Sequence, residues 1–387
     1  MLEGIRVLDF SQYLPGPYAS LRLADKGAEI IKVEALKGDP ARRFGYKKDR
    51  VGLVFLANNR NKKSVALNLK EKEGKRIALE LMKNVDVVIE SFRPGVMERL
   101  GLGYEEAKKV NDKIIYCSIT GFGQNTSYSH YGSHDLNIVA LSGVLSQLKD
   151  KDGRPIHPTI TLADLNGGMA AAEEISAALI HRFRNNEGKY IDISMIDCMV
   201  SLLNNHVLIA KEKGIENGVK ELSGSYVCYH IYETKDGRYM SLAALEPKFW
   251  ENFCHAIGRD GWVESHMSEA TDDNPIYKEM KKIFKSYTLE EWLVFMKKVD
   301  CCLSPVLEIN ELEAMQLIKE RGLFHSSLEG YLQVATTYDD KFQMKEMTLP
   351  KLGEHTEQIL REWLNYDDEK LNELKEAGVI FCEEGKC

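Results

Sequence analysis

At 387 residues the chain exceeds what one hydrophobic core usually holds, so two packed domains, one large and one small, are expected. Its 44% apolar and 28% charged residues are ordinary globular proportions and exclude collagenous, disordered and low-complexity chains. The formal charge of -8 argues against a nucleic-acid partner, and no apolar run reaches the roughly eighteen residues a membrane span needs.

Taken in chain order, Ile5 to Phe10 reads as a strand, Pro15-Gly16-Pro17 as a turn, Tyr18 to Lys26 as a helix and Ala28 to Val33 as a second strand. Two strands joined by a helix pair in parallel and seed an open α/β sheet, whose ligands gather at the C-terminal ends of the strands. The pattern recurs through helix Glu71 to Lys83, strand Val85 to Ile89, helix Tyr104 to Val110 and strand Ile114 to Ile119. Small residues from Gly167 open a helix that runs to about Arg184, before a strand from Lys189 to Ser194. The outline is Rossmann-like, but no GxGxxG follows the first strand, so it does not imply a dinucleotide.

Charged, Gly-bearing sequence from Lys211 to Lys220 predicts a linker, and Tyr226 to Tyr232 with Tyr239 to Ala243 a hairpin. Helices follow at Pro247 to Ile257, Pro275 to Ser286 and Leu289 to Lys298, the last capped by Thr288. Two amphipathic helices, Thr356 to Leu364 and Asp368 to Ala377, end the chain at the stop signal Gly378. The expected division is a large open parallel-sheet domain over residues 1–215, a small α+β domain over 225–325 and a segment 326–387 returning to the large domain. The eight cysteines lack CxxC spacing and read as small buried thiols, with no metal site. An acid in MLEGIRVLDF argues against a secretory signal, so a cytoplasmic location is expected.

Few acids and bases adjoin apolar runs on loops: His134 and Asp135, Asp164, and Glu246. Desolvation there would move a carboxyl toward neutrality, and an imidazole can take and return a proton at cellular pH. Plainer roles are open to each carboxylate: Asp164 as a helix cap, Glu246 in a first turn beside Pro247, Asp135 as an Asx turn. Arg93, Arg99, Lys70 and the cluster Arg60 to Lys63 offer cations for phosphates, the cluster serving equally well as a solvated face.

An ordered set of loops carries a stronger signal: Val7-Leu8-Asp9 to Pro15-Gly16-Pro17, Ser91 to Gly95, Gly121 to Gln124, Ser133-His134-Asp135-Leu136-Asn137, Ala163-Asp164, Ala244 to Phe249 and Leu352 to Thr356. Together they closely resemble the class III CoA-transferases of the CaiB/BaiF type, the group that includes carnitine-CoA transferases and 2-methylacyl-CoA racemases. The resemblance spans nearly the whole chain and implies an interlocked homodimer acting on an acyl-CoA, with coenzyme A part of the substrate and no prosthetic group. The His134 segment looks most like the racemases, in which paired bases remove and return the α-proton through an enolate. His134 and Asp164 would be that pair, with Glu246 orienting His134 and N–H groups near Asp164 or Gly167 meeting the enolate oxygen. In the transferases the residue resembled by Asp164 becomes an acyl anhydride and then a CoA thioester, so that alternative stands beside the first. By similarity CoA would contact Leu67, Asn68, Leu69, Lys70, Ser91, Phe92, Arg93, Arg99, Ser133 and Asp135, while Ala35 replaces an arginine of the racemases.

Overall fold

Short β-branched runs alternating with helical spacing fold here as a parallel sheet wrapped by helices. The computed structural model describes residues 1–150, 152–327, 330–337 and 347–382. It divides into two compact units, Met1–Leu202 with Glu320–Cys387, and Leu203–Lys319.

The first unit carries a seven-stranded sheet. Strands β1 (Arg6–Asp9), β2 (Glu29–Glu34), β3 (Lys62–Leu67), β4 (Val87–Glu90), β5 (Ile115–Thr120) and β6 (Lys189–Ser194) are parallel. A C-terminal strand, Ile380–Phe381, adds to the β3 edge antiparallel, with Ile380 opposite Leu67. The spatial order is C-terminal strand, β3, β2, β1, β4, β5, β6. The chain therefore builds outward from β1 on one side and then on the other, so the loops after β1 and β4 part at a topological switch point.

Side chains alternate along each strand. Leu8, Phe10, Ile31, Val33, Val65, Leu67 and Val88 share one core with residues of Lys72–Lys83, Tyr104–Val110 and the C-terminal helices Thr356–Leu364 and Asp368–Glu376. Each such buried side chain stabilises by roughly 1.5–3 kcal/mol relative to exposure. The opposite face meets helices α1 (Pro15–Ala24) and α2 (Leu162–Asn185), which lie against each other. Gly168 makes that contact possible, because a Cβ there would stand 2.6 Å from the Pro15 carbonyl oxygen. Helix α1 starts at Pro15, ahead of the expected Tyr18, since proline fits a first helical turn that needs no N–H acceptor.

Charge is buried under α1. Asp9 accepts from Ser20 Oγ at 2.5 Å and pairs with Lys62 Nζ at 3.3 Å, while Lys62 also donates to the Pro17 and Asn59 oxygens, each at 2.9 Å. Arg60 is likewise buried on Asp25, and Lys63 pairs with Glu29. The cluster Arg60 to Lys63, read as ligand cations or a solvated face, is instead a set of ion pairs, buried at Arg60 and Lys62 and partly exposed at Lys63, because each cation meets an acid from a neighbouring element.

In the second unit β7 (Tyr229–Glu233), β8 (Tyr239–Ala243) and β9 (Leu303–Pro305) form an antiparallel sheet with β8 central. Tyr232 stacks on Phe284 at 4.4 Å and Phe284 on Trp292 at 4.5 Å, giving this unit its own aromatic core. Thr288 accepts from the Glu291 N–H at 3.3 Å while Glu291 accepts from the Thr288 N–H at 2.7 Å, a reciprocal cap on Leu289–Met296. Residues 211–213 of the expected linker close a helix, Asn204–Lys213. The α/β architecture with a smaller α+β unit is the one expected. Cys117, Cys228, Cys254 and Cys301 are buried free thiols, whereas Cys302 is exposed; Cys387 lies outside the described residues.

Candidate active site

The switch-point loops are held backbone group by backbone group. Phe10 N–H donates to the Ile89 carbonyl at 2.8 Å, Gln12 N–H to Ser91 Oγ at 3.0 Å and Tyr13 N–H to Asp39 Oδ1 at 3.2 Å. Lys32, itself paired with Asp39 at 3.0 Å, donates to the Ser11 carbonyl at 2.8 Å. Tyr13 is fixed at φ 63, a left-handed conformation uncommon for a tyrosine and sustained only where surrounding contacts over-determine it. A rigid floor thus lies at the C-terminal ends of β1 and β4, where open parallel sheets bind ligands.

The loop after β5 descends onto this floor. Gly121 admits it: a Cβ there would stand 2.3 Å from the side chain of Ser133. The helix that follows, α3 (Asp135–Leu141), has His134 as its N-cap residue, whose N–H donates to Asn137 Oδ1 at 2.6 Å. Asp135 Oδ1 accepts from the N–H groups of Ala163 at 2.6 Å and Asp164 at 3.0 Å. The N-termini of α3 and α2 therefore meet, and His134, exposed, adjoins the residue that holds the backbone of Asp164. Burial, reinforced by the neighbouring Asp135 charge, pushes the Asp164 carboxyl up to about 7. Of the N–H groups near Asp164 or Gly167 expected to meet an enolate oxygen, those of Ala163 and Asp164 are already taken by Asp135.

Arg93 is exposed after β4, and a Cβ on Gly132 would stand 3.2 Å from its Nη2, which sets the guanidinium beside the His134 loop. An aromatic row leads there, Phe122 to Tyr128 at 5.8 Å and Tyr128 to Tyr131 at 5.6 Å. Arg99 is exposed and folds over Gly95. Lys70 is exposed at the end of β3, where Asn68 takes the Val379 carbonyl through its N–H and accepts from Lys70 N–H through its side chain. Leu67 is wholly buried and Leu69 packs on the same core, so neither turns a free side chain outward, whereas Phe92 is partly buried beside it. Glu246 belongs to the second unit, as the exposed N-cap residue of Pro247–Ala256, with no side-chain bond to that helix.

Two features escaped sequence reading. Glu90 is 4% exposed at the end of β4, accepts from Phe92 N–H at 2.8 Å and is pushed by burial up to about 7. Its only sequence signal is an acid closing an apolar run. The other is the exposed segment after β2, where Lys37, Arg43, Lys47, Lys48 and Arg50 form no ion pair among the described residues. Its signal is the density of cations in KGDPARRFGYKKDR, which begins two residues after Ala35.

The sequence profile described as CoA-transferase family III matches residues 2–356, and the chain belongs to that family. It is therefore an enzyme of the class its motifs resemble. It is 34% identical to the succinyl-CoA:glutarate CoA-transferase of Mus musculus, over 100% of this chain and 91% of that protein. It is also 34% identical to the alpha-methylacyl-CoA racemase of Homo sapiens, over 98% of this chain and 97% of that protein. The crystal structure of a CAIB/BAIF family protein from Brucella suis superposes with a TM-score of 0.82 at 26% identity, covering 94% of this chain and 99% of that one. Relatives at equal identity thus divide between transfer and racemisation. No helix among the described residues is long and apolar enough to cross a membrane.

Proposed function

We propose that this enzyme is a 2-methylacyl-CoA racemase in which His134 and Asp164 exchange the α-proton of the thioester from opposite sides. The observation that carries the reading is Asp164, a carboxyl pushed up to about 7 whose helix begins against the one His134 leads. Such a group both releases and accepts a proton near neutrality, as a racemase base must in alternate directions. One base removes the proton, the electron pair moves onto the thioester oxygen as an enolate, and the other returns a proton to the opposite face. Arg93, beside the His134 loop, favours a CoA placement along the switch point, with its phosphates on Arg99, Lys70 and the exposed cations Lys37, Arg43, Lys47, Lys48 and Arg50, the pantetheine passing Asn68, Ser91 and Phe92, and Ser133 beneath the thioester.

A second reading has its own support in the 34% identity to a transferase. There Asp164 attacks the thioester carbonyl, expels CoA thiolate and becomes a mixed anhydride; the thiolate returns to the aspartyl carbonyl and releases the donor carboxylate, and the same two steps run in reverse with an acceptor carboxylate return CoA as the product thioester and free Asp164. An interlocked homodimer belongs to either reading and is favoured by exposed apolar side chains on and after α2: Met169, Ile180, Phe183, Val200 and Leu202.

Incubation of the enzyme with a panel of 2-methylacyl-CoA thioesters in deuterated solvent decides between them. We expect deuterium at the α-carbon without any acceptor acid, and a loss of about 10²–10⁴-fold in Asp164→Asn. A thioester panel that takes up no deuterium, together with a hydroxylamine-trapped adduct on Asp164, would establish the transferase instead.

A further inference from the structure

The N-terminus of a helix ordinarily favours the anionic form of an acid in its first turn, because unsatisfied N–H groups and the aligned peptide dipoles concentrate positive charge there. Asp164 occupies such a position in α2, yet it does not receive that stabilisation. The N–H groups of Ala163 and Asp164 both donate to Asp135 Oδ1, at 2.6 and 3.0 Å, a contact between residues 29 apart in the chain. Among the described residues no donor reaches the Asp164 carboxyl itself, and the residue is half-buried.

We infer that Asp135 is the positioning residue of this site: capping α2 with its own carboxylate, it occupies the amides that would otherwise hold Asp164 as an anion and sets its charge beside that carboxyl, and so keeps Asp164 able to carry a proton. This rests on the reading of Asp164 as the reacting carboxyl. It also gives Asp135 a task other than contact with CoA. The elements packed on α2 carry Tyr18 and Arg22 on α1, Tyr116 and Cys117 on β5, Lys189, Tyr190 and Asp192 on β6, Asp197 and Cys198 on Met195–Ser201, and Asp135 on α3 with His134 as its cap residue. Of these, Asp135 is the one whose charge acts on Asp164, and it acts in the same direction as burial. Cap and like charge therefore work together, the first removing a stabiliser of the anion and the second adding a repulsion. A neutral cap would hold the helix as well and leave the Asp164 proton where burial alone puts it.

The test is the substitution Asp135→Asn, which keeps one oxygen acceptor for the two amides and removes the charge. Asp164 is titrated chemically in the intact enzyme, by carbodiimide-promoted coupling of glycinamide to the protonated carboxyl, quantified on its peptide by mass spectrometry across pH 4.5 to 8. We expect the midpoint near 7 in the wild type to fall by about one pH unit in Asp135→Asn, a loss of about fivefold in coupling rate at pH 7. The lower limb of the kcat/KM profile for α-proton exchange moves the same way. Near-UV circular dichroism reports whether the variant keeps native packing, and Asp135→Ser, another short neutral acceptor, takes its place if it does not. An unchanged midpoint in a folded variant overturns the inference. A shifted midpoint with an unmoved kcat/KM profile, and activity retained in Asp164→Asn, overturns instead the reading of Asp164 as the reacting group.

Discussion

Glu90 and Asp164 share a condition that neither carries in its own sequence neighbourhood: both are carboxyls held near neutrality by protein around them. A carboxyl whose proton is bound more tightly in the native state than in the unfolded chain contributes stability that is full below the unfolded value and is lost as pH rises through the native one. For Glu90 the window runs from the ordinary glutamate range up to about 7. Asp164 acts in the same sense over a similar range. Glu90→Gln should therefore melt above the wild type at pH 8, by at most about 3 kcal/mol, and converge with it by pH 5. Calorimetry at the two pH values checks this, and a difference that does not depend on pH would contradict it. The chemistry-bearing residue types were visible in the sequence at His134, Asp135, Asp164 and Glu246. Their states were not, since desolvation and a neighbour's charge are properties of a folded environment.

At the scale of elements, helix α2 depends on its small face. A side chain at Gly168 would meet the Pro15 carbonyl, Tyr18 and the Ala19 nitrogen, at 2.6, 3.0 and 3.4 Å, two of them backbone and unable to yield. Gly168→Val should lower the unfolding free energy by about 1–3 kcal/mol, the usual cost of overpacking. Because Asp164 lies one turn earlier on the same helix, the substitution should also depress kcat for α-proton exchange. Denaturant melts and initial rates on one preparation test both, and an unaltered melt would mean that α1 and α2 have room to part. This helix was legible from its run of small residues, and the cap on Leu289–Met296 from Thr288, though not its reciprocal partner Glu291. The hairpin Lys47–Lys48 with Val51–Gly52, the helix Leu53–Asn58 and the strand Ile380–Phe381 were not, being too short to show a period and held by tertiary partners.

For the molecule as a whole, the decisive contacts join distant parts of the chain. Arg60 lies on Asp25, donates to Gln333 Oε1 at 3.0 Å and to the Val334 carbonyl at 2.9 Å, while Thr336 Oγ donates to Asp25 at 2.7 Å. This buried pair fastens the returning segment to the first unit. Arg60→Met should cost about 3–5 kcal/mol by leaving Asp25 unpaired, and Asp25→Asn added to it should recover part of the loss. Urea melts of the two single variants and the double variant measure the coupling, and strictly additive losses would refute it.

The order of apolar runs, turn residues and loop motifs was enough to determine a parallel α/β unit, a second α+β unit, and membership in a family that handles CoA thioesters, because local periodicity and turn chemistry are written residue by residue. Which cations face ligand and which are buried was decided only in three dimensions: Arg60 and Lys62 look like Lys70 in the chain, yet only Lys70 remains exposed. The meeting of Asp135 with the amide of Asp164 was decided there too. Pairing energies and desolvation depend on distances between residues far apart in the chain, and those exist only once the sheet has formed.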